Sequence, residues 1–456
     1  MGHPMFTYDP GMGEAIFEYC RARLSMDPVP LDYGGNADDP AASIEGMLND
    51  HGNDPGKVLE IFATHLATAV VSIDSPRFMA FIPNAPTKSS LLFDMIVSCS
   101  SLNGTSYLES AGVVVAENQL LSFLAERAGM PATSGGTFVS GGSLGNLSAL
   151  AVARDDGRRN RPGADSRHLR VAISQEAHSS VGSSLHLLGM DPLYVPTTGH
   201  VLTADALRAA LDADDDPSSV VAVVATAGTT NAGIVDELDG IGQLARDRGI
   251  WFHVDAAYGG AAMLGRLRRD LFYGLRHADS FIVDPHKWLF APLDCCALIY
   301  REPRLARTTH TQHASYLDVL HVKDDEGEVE WNPSDYAVHL SRRARGLPLW
   351  FSLAVHGADQ YADAIDRAIT TAEQAAELIT SLDHVELCRD PVLSIVLFRR
   401  TGWGPEEYSS WSHRLLSDQV ALVTPTKWEG ETVARFAFLH PDTTIEIVSE
   451  VLDSMR

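Results

Sequence analysis

The chain has 456 residues and a formal net charge of −25, from 60 acidic and 35 basic residues. This length permits a large buried core, and an acidic chain without a Lys/Arg-rich run argues against a nucleic-acid or anionic-membrane partner. The five cysteines lack metal-ligand spacing, so we expect reduced thiols and no metal site. No basic region precedes an apolar core at the N-terminus, and no run of about eighteen apolar residues occurs, so the cytoplasm is the expected location.

Residues 1–75 are predicted to form an N-terminal helical arm. They contain a helical pattern over residues 13–24, a connection rich in Pro, Gly and Asp, and an amphipathic pattern from residue 57 to about residue 72. Such a segment has too few apolar residues to fold alone. We therefore expect it to pack on a second copy of the chain and predict a homodimer.

Residues 76–345 alternate short apolar runs with helical patterns. The clearest strand candidates are residues 169–173, 220–227, 251–254, 280–283 and 295–300. This alternation is typical of an α/β domain with a parallel sheet covered by helices on both faces. In residues 346–456 a long helical pattern precedes strand candidates at 393–398 and 433–439, which predicts a small α+β C-terminal domain.

Two ionisable residues follow apolar runs in the predicted large domain. Pro285 ends the ladder after residues 280–283, so Lys287 is expected at the carboxyl end of a strand, where open α/β sheets bind ligands. Apolar neighbours should favour its neutral amine, which can form a Schiff base. Asp255 comes at the end of the preceding apolar run, residues 250–254. A lysine and an aspartate so placed suit pyridoxal phosphate (PLP), although an ion pair at the rim of the sheet is the alternative interpretation.

Further candidates lie at the ends of other predicted strands. Gly142 and Ser143 belong to a Gly/Ser turn before a helical pattern, which either cradles a phosphate or caps the helix. His178 either stacks on a planar ring or caps a helix. Thr226 either touches a cofactor or makes a turn. His286, next to Lys287, either binds phosphate, transfers a proton or supplies a supporting hydrogen bond.

The order of these features along the chain resembles the group II amino-acid decarboxylases. These are fold-type-I PLP enzymes that include aromatic amino-acid and glutamate decarboxylases. The resemblance runs from Ser75-Pro76-Arg77-Phe78 to Ser341-Arg342-Arg343, and more faintly to the end of the chain. It implies a mostly parallel seven-stranded sheet covered by helices.

The resemblance also implies roles for individual residues. Lys287 binds the cofactor aldehyde, Asp255 pairs with the pyridinium nitrogen, and His178 stacks on the ring. The remaining cofactor residues implied are Thr226 and Ala257 along the ring, Gly142 and Ser143 at the phosphate, His286 beside it, and Asp284, where the family often has Asn. An acid at the position of Asp284 would need a compensating proton or hydrogen bond.

The segment over residues 317–335 departs from the aromatic decarboxylases. Their mobile loop carries a tyrosine that protonates the quinonoid carbon, whereas this segment is acidic and has Pro333 near the expected position. Tyr336 is the candidate replacement. Because the segment lacks a helical or strand period, we expect a mobile lid.

The predicted substrate pocket is half polar. Asn103, Thr105 and Tyr107 stand where aromatic decarboxylases present apolar side chains, whereas Phe81 and Ile82 retain an apolar wall. The resemblance therefore implies PLP-dependent decarboxylation of an L-amino acid or an amino-acid conjugate, through an external aldimine and a quinonoid. The alternatives are decarboxylation with oxidative deamination to an aldehyde, β-elimination, or a binding protein that keeps the scaffold without catalysis.

Overall fold

The structure is a computed structural model that describes residues 3–32, 39–160, 168–321 and 330–456. The chain divides into two compact units. The larger comprises residues 84–374 and 390–396, and the smaller comprises residues 1–83, 375–389 and 397–456. These boundaries differ from the predicted segments, because residues just after 75 pair with C-terminal residues. The Met79 N–H, for example, donates to the Leu422 carbonyl at 3.0 Å.

Eleven strands are found in the described residues. Their bounds are β1 (Gly135–Val139), β2 (Arg170–Ile173), β3 (Asp191–Tyr194), β4 (Val220–Thr226), β5 (Trp251–Asp255), β6 (Ser280–Val283), β7 (Cys296–Tyr300), β8 (Val385–Leu387), β9 (Ile395–Arg400), β10 (Pro425–Trp428) and β11 (Glu431–Ala437). All of the strand candidates predicted from the sequence therefore occur, with ends shifted by at most a few residues.

Thirteen α-helices occupy the same described ranges. They are α1 (Pro10–Leu24), α2 (Pro40–Ser43), α3 (Pro55–Ile61), α4 (Lys88–Cys99), α5 (Tyr107–Arg127), α6 (Gly142–Asn160), α7 (Ser179–Leu188), α8 (Ala204–Ala213), α9 (Leu238–Arg248), α10 (Pro303–His310), α11 (Leu347–Thr380), α12 (Pro405–Ser417) and α13 (Ile445–Asp453). In the part of the chain that is described, none of them combines the length and apolar character needed to cross a bilayer.

The larger unit contains a seven-stranded sheet in the order β1-β7-β6-β5-β4-β2-β3. Only β7 runs against the others, since it pairs antiparallel with both β1 and β6. Gly136 lets β1 approach β7 closely, because a Cβ at this position would lie 1.9 Å from the Leu298 carbonyl oxygen. The predicted mostly parallel α/β sheet is confirmed.

Burial explains why these apolar runs form central strands. All seven residues of β4 and all five residues of β5 are buried. Helix α6 packs its Ala149, Leu150 and Val152 into the same core as strand residues such as Val171 and Val224. A sheet buried on both faces requires continuous apolar strands, and these strands therefore carry no alternating polar pattern.

The smaller unit holds the N-terminal arm and a four-stranded sheet in the order β10-β11-β9-β8. Helix α1 begins at Pro10, and the Asp9 carboxylate accepts the N–H groups of Gly11 and Met12. The prediction of a helix from residue 57 to about residue 72 is wrong in length. Helix α3 ends at Ile61, and a five-residue π-helical turn, Phe62–Leu66, follows it.

Candidate active site

The carboxyl ends of the parallel strands meet at one edge of the larger sheet and border a cavity of about 310 Å³. Strands β4, β5 and β6 end there at Thr226, Asp255 and Val283. Every residue that the sequence predicts at the cofactor lines this cavity: Gly142, Ser143, His178, Thr226, Asp255, Ala257, Asp284, His286 and Lys287. The fold therefore brings together residues that are up to 145 positions apart.

Lys287 forms a short ion pair inside the cavity. Its Nζ lies 2.9 Å from Asp284 Oδ2, and its side chain is only 21% exposed. Burial alone would lower the pKa of Lys287, but the carboxylates of Asp284 and Asp255 outweigh burial and raise the pKa above its ordinary value. The expectation that apolar surroundings favour the neutral amine is therefore wrong here, and the side chain is an ammonium at neutral pH.

Asp284 follows β6 in the chain, contacts the N-terminus of α6 and is 2% exposed. Its Oδ2 accepts the Gly142 N–H at 3.3 Å, whereas its Oδ1 is buried without a hydrogen-bond partner. Burial acts to raise the pKa of Asp284, but the Coulombic attraction of Lys287, with a smaller contribution from His286, outweighs burial and lowers this pKa. The compensation expected for an acid at this position is thus supplied by Lys287 and by a helix N-terminus.

Asp255 ends β5 and is held at both oxygens. Oδ1 accepts the Ala257 N–H at 3.1 Å, and Oδ2 accepts the side-chain amide of Asn146 at 2.9 Å. The Asn146 oxygen in turn lies 2.9 Å from Nε2 of His253. His253 is fully buried, and burial lowers its pKa to about 4.

His178 is the N-cap of α7, and its ring is held by Ser180. The Ser180 Oγ lies 2.8 Å from His178 Nδ1, and the Ser180 N–H donates to the same nitrogen at 3.2 Å. His178 therefore caps the helix, as one of the two predicted alternatives has it, and the same residue lines the cavity. The Thr226 hydroxyl on the same cavity is buried without a partner.

Aromatic packing supports the wall behind Lys287. Tyr258 stacks on Trp288 with ring centroids 5.3 Å apart, and its hydroxyl contacts Ser394 at 2.5 Å. The His286 ring lies against the Cys295 backbone, 2.6 Å from the carbonyl oxygen. These contacts fix the residues on either side of Lys287.

Sequence reasoning missed Asn146, Ser180, Thr230 and Tyr258, which also line the cavity. The sequence did contain a signal for His253 and Asn146. His253 is a polar residue inside an apolar strand and Asn146 is a polar residue near the start of a helix, and both need hydrogen-bond partners when they are buried. Which residues satisfy them depends on contacts between positions about 107 residues apart, and a single sequence does not reveal such contacts.

Of the predicted substrate residues, the three in the larger unit, Asn103, Thr105 and Tyr107, do not line this cavity. Thr105 accepts the Arg342 N–H at Oγ1, 3.3 Å away, and Asn103 Oδ1 accepts the Thr105 N–H at 3.1 Å. The Tyr107 N–H donates to the side-chain oxygen of Asn332 at 3.0 Å. The remaining two predicted substrate residues, Phe81 and Ile82, belong to the smaller unit; Phe81 is 63% exposed and has a φ of +52°.

Tyr336, the candidate proton donor, is also not brought to the cavity. It is 3% exposed and stacks on Trp331 at 4.1 Å within the core of the larger unit. Burial raises the pKa of its hydroxyl far above the ordinary value, which weakens it as an acid. The acidic part of the predicted lid, residues 324–326, lies outside the described residues. On either side of the undescribed residues, the Asn332 side-chain amide donates to the Leu320 carbonyl at 2.8 Å.

The donors and acceptors of the cavity fit PLP. The cofactor needs an amine for its aldehyde, a carboxylate for its ring nitrogen, and hydrogen-bond donors for its phosphate. Lys287 and Asp255 supply the first two. Ser140, Ser143 and the N-terminus of α6 supply donors for the third. The buried, unpartnered oxygen of Thr226 leaves one further polar group on the cavity for a ligand.

Comparison with known proteins agrees with this chemistry. Residues 40–401 match the family described as pyridoxal-dependent decarboxylase conserved domain. The chain is 30% identical to an aromatic-L-amino-acid decarboxylase of Bacillus atrophaeus over 426 residues, covering 90% of this chain and 86% of that protein. It is also 30% identical to an L-2,4-diaminobutyrate decarboxylase of Rhizobium meliloti (strain 1021) over 398 residues, covering 84% and 78%.

A crystal structure from Oryza sativa, described as TDC with PLP and tryptamine, superposes with a TM-score of 0.87 at 25% identity, covering 98% of this chain and 99% of that one. The chain therefore belongs to the pyridoxal-dependent decarboxylase family, and it is a PLP-dependent carboxy-lyase that acts on an amino acid.

Proposed function

We propose that the cavity around Lys287 is the site of L-amino-acid decarboxylation and that the product is the corresponding amine. The observation that carries this proposal is the meeting of nine residues from five strand ends and turns on one cavity. Lys287 is the proposed attachment point of the cofactor, and Asp255 is the proposed partner of its ring nitrogen. The proposed phosphate contacts are Gly142, Ser143 and His286.

When bound, PLP supplies an electron sink for the electron pair left by the departing carboxylate. The protein residues prepare the site for this chemistry. Asp255 would hold a proton at the ring nitrogen through its negative charge, and Asn146 and the Ala257 N–H fix the orientation of its carboxylate. His178 would cover the ring, and Thr226 and Ala257 would line it.

The proposed substrate is an L-amino acid or a conjugate that contains one, bound in a partly polar pocket. The two relatives at 30% identity are named for an aromatic and a diamino substrate, so the likeness supports the class but not one side chain. Asn103, Thr105 and Tyr107 do not line the cavity of their own chain. We propose that they contact substrate in the site of a second copy of the chain.

A substrate screen tests the proposal. Purified enzyme with PLP is incubated with free and conjugated L-amino acids, while carbon dioxide, amine, aldehyde, ammonia and keto acids are measured. Stoichiometric carbon dioxide and amine are expected for at least one substrate. Aldehyde with ammonia would favour decarboxylating deamination instead, and an eliminated fragment without carbon dioxide would contradict decarboxylation.

We also propose a homodimer. In the smaller unit, apolar residues of the N-terminal arm such as Phe6 and Ile16 are 87% and 41% exposed. In the larger unit, Leu92 and Ile96 lie one turn apart on α4, and each is 51% exposed. Such surfaces favour association. Sedimentation velocity should give a dimer for the full chain and loss of that dimer after deletion of residues 1–56. A monomeric, active full-length chain would contradict the proposal.

The proposed location is the cytoplasm. All five cysteines are free thiols, and two of them, Cys295 and Cys296, are adjacent and buried. Free thiols persist in reducing compartments. Fractionation of the source cells with an antibody tests the location, and recovery outside the cytoplasm would contradict it.

A further inference from the structure

A group of buried polar side chains behind the cavity meets at Asn146, near the start of α6. Asn146 is 1% exposed. Its Nδ2 lies 2.9 Å from Asp255 Oδ2 and 3.0 Å from Ser180 Oγ, and its Oδ1 lies 2.9 Å from His253 Nε2. One amide therefore connects Asp255, His253 and the serine that holds His178.

The hydrogen-bonding capacity of these groups fixes the orientation of the amide. A carboxylate only accepts hydrogen bonds, so the NH₂ group of Asn146 must face Asp255. Its second N–H then donates to the Ser180 oxygen. The Asn146 oxygen is left to accept, which requires that His253 carries its proton on Nε2.

The far end of the chain of hydrogen bonds agrees with this orientation. The indole N–H of Trp251 can only donate, and it donates to Ser280 Oγ at 2.9 Å. The Ser280 hydroxyl therefore has its hydrogen available for His253 Nδ1, 2.8 Å away. A buried, neutral His253 that accepts at Nδ1 carries its proton on Nε2, as the Asn146 oxygen requires.

The other branch ends at His178. The Ser180 hydroxyl lies 2.8 Å from His178 Nδ1 and donates to it, because this nitrogen already accepts a backbone N–H. The Ser180 N–H donates to the same nitrogen. An Nδ1 that accepts twice leaves the proton of a neutral His178 on Nε2.

We propose that Asn146 is a positioning residue that orients the Asp255 carboxylate and, through Ser180, sets the tautomer of His178. The inference rests on the proposed roles of Asp255 and His178 at the cofactor. A single amide would then prepare both groups before the cofactor arrives, so that neither must reorient when it binds.

Histidine tautomers observed by NMR test this proposal. Full-length protein with ¹⁵N-labelled histidine is studied without PLP and after loading with PLP, and His178 is assigned with the variant His178→Gln. Ser180→Ala removes only the branch to His178, whereas Asn146→Leu removes both branches. Asn160→Leu, at the exposed end of the same helix, is the matched control.

We expect the Nε2–H tautomer of His178 in the unmodified protein and in Asn160→Leu, and a smaller fraction of this tautomer in Ser180→Ala and Asn146→Leu, where the Ser180 backbone N–H remains as a donor to Nδ1. Asn146→Leu should also weaken PLP binding about tenfold or more, as expected for loss of a hydrogen bond to a charged group. Ser180→Ala should weaken it less. PLP affinity is measured by equilibrium dialysis.

An Nδ1–H tautomer in the unmodified protein, or an unchanged tautomer in Ser180→Ala, would overturn the proposal. The Ser180→Ala spectrum decides the question even where Asn146→Leu fails to fold. Neither readout needs turnover. A protein with the expected tautomers that decarboxylates no amino acid would count against the proposed function and leave this inference standing.

Discussion

Lys287 Nζ and Asp284 Oδ2 lie 2.9 Å apart, and this ion pair involves the amine that we propose as the attachment point of the cofactor aldehyde. The pKa of Lys287 is raised and that of Asp284 is lowered. The pair is therefore charged from the acidic range, above the lowered pKa of Asp284, to the alkaline range, below the raised pKa of Lys287. Its contribution to stability is complete between the unfolded-state pKa values of the two groups, and it is lost as the pH falls through the lowered pKa of Asp284 or rises through the raised pKa of Lys287.

The first prediction follows from this protonation state. Only a neutral amine attacks the cofactor aldehyde, so the rate of covalent PLP loading should rise with pH through the alkaline range. Asp284→Asn removes one of the two carboxylates that raise the pKa of Lys287, and it should accelerate loading at pH 7, by about tenfold for each unit that the pKa falls. Stopped-flow absorbance of cofactor-free enzyme mixed with PLP measures the rate.

The matched control for this variant is Asp247→Asn on the surface of α9, which should load at the unmodified rate at every pH. If Asp284→Asn loads no faster at pH 7 and keeps the same pH profile, then Asp284 does not set the protonation state of Lys287.

Asp255→Asn should fold normally and lose most activity. The neutral amide has the same shape but no longer holds the proton on the cofactor ring nitrogen, and removal of one such interaction costs about two orders of magnitude in rate. Thermal unfolding, PLP absorbance and kcat are measured on the same preparation. Near-normal kcat with bound PLP would mean that another residue holds that proton.

A buried ion pair in the larger unit gives a stability prediction. Arg342 donates to both oxygens of Glu117, at 2.6 and 2.8 Å, and their side chains are 0% and 2% exposed. Arg342→Met should destabilise the protein by about 3–5 kcal/mol, because Glu117 is left as an unpaired buried charge. Urea unfolding measures the loss. The double variant Arg342→Met with Glu117→Leu should recover part of it, and a single variant as stable as the unmodified chain would contradict the prediction.

Tyr336→Phe should leave the ratio of amine to aldehyde unchanged, in air and under nitrogen. Tyr336 is packed against Trp331 and does not line the cavity around Lys287. Chromatographic product analysis with the preferred substrate is the measurement, and the unmodified enzyme assayed in parallel is the control. A shift from amine to aldehyde would show that Tyr336 reaches the reacting carbon. It would also show that Tyr336 takes the role of the loop tyrosine of aromatic decarboxylases.

The strand ends were predictable from the sequence because they depend on local patterns. An apolar run followed by a turn locates Thr226, Asp255 and Lys287 at one edge of a parallel sheet, and all three line the same cavity. The charge state of Lys287 was not predictable. It depends on the balance between burial and two carboxylates, and that balance needs distances as well as residue types.

The segments outside the sheet were harder to predict for the same reason. The helical pattern over residues 57–72 is broken after Ile61, and residues 76–83 join the smaller unit through pairing with residues more than 300 positions away. Tyr336 was a plausible donor from its position in the chain. Its burial follows from packing with Trp331, which no local pattern specifies.

The attachment of the cofactor to Lys287 tests the account most directly. Enzyme loaded with PLP is reduced with borohydride, digested and mapped by mass spectrometry, with Lys287→Ala as the control. We predict a pyridoxyl group on Lys287 and its complete absence, together with loss of turnover, in Lys287→Ala. A pyridoxyl group on Lys57, Lys88, Lys323 or Lys427 in the active enzyme would contradict the assignment of this cavity as the active site.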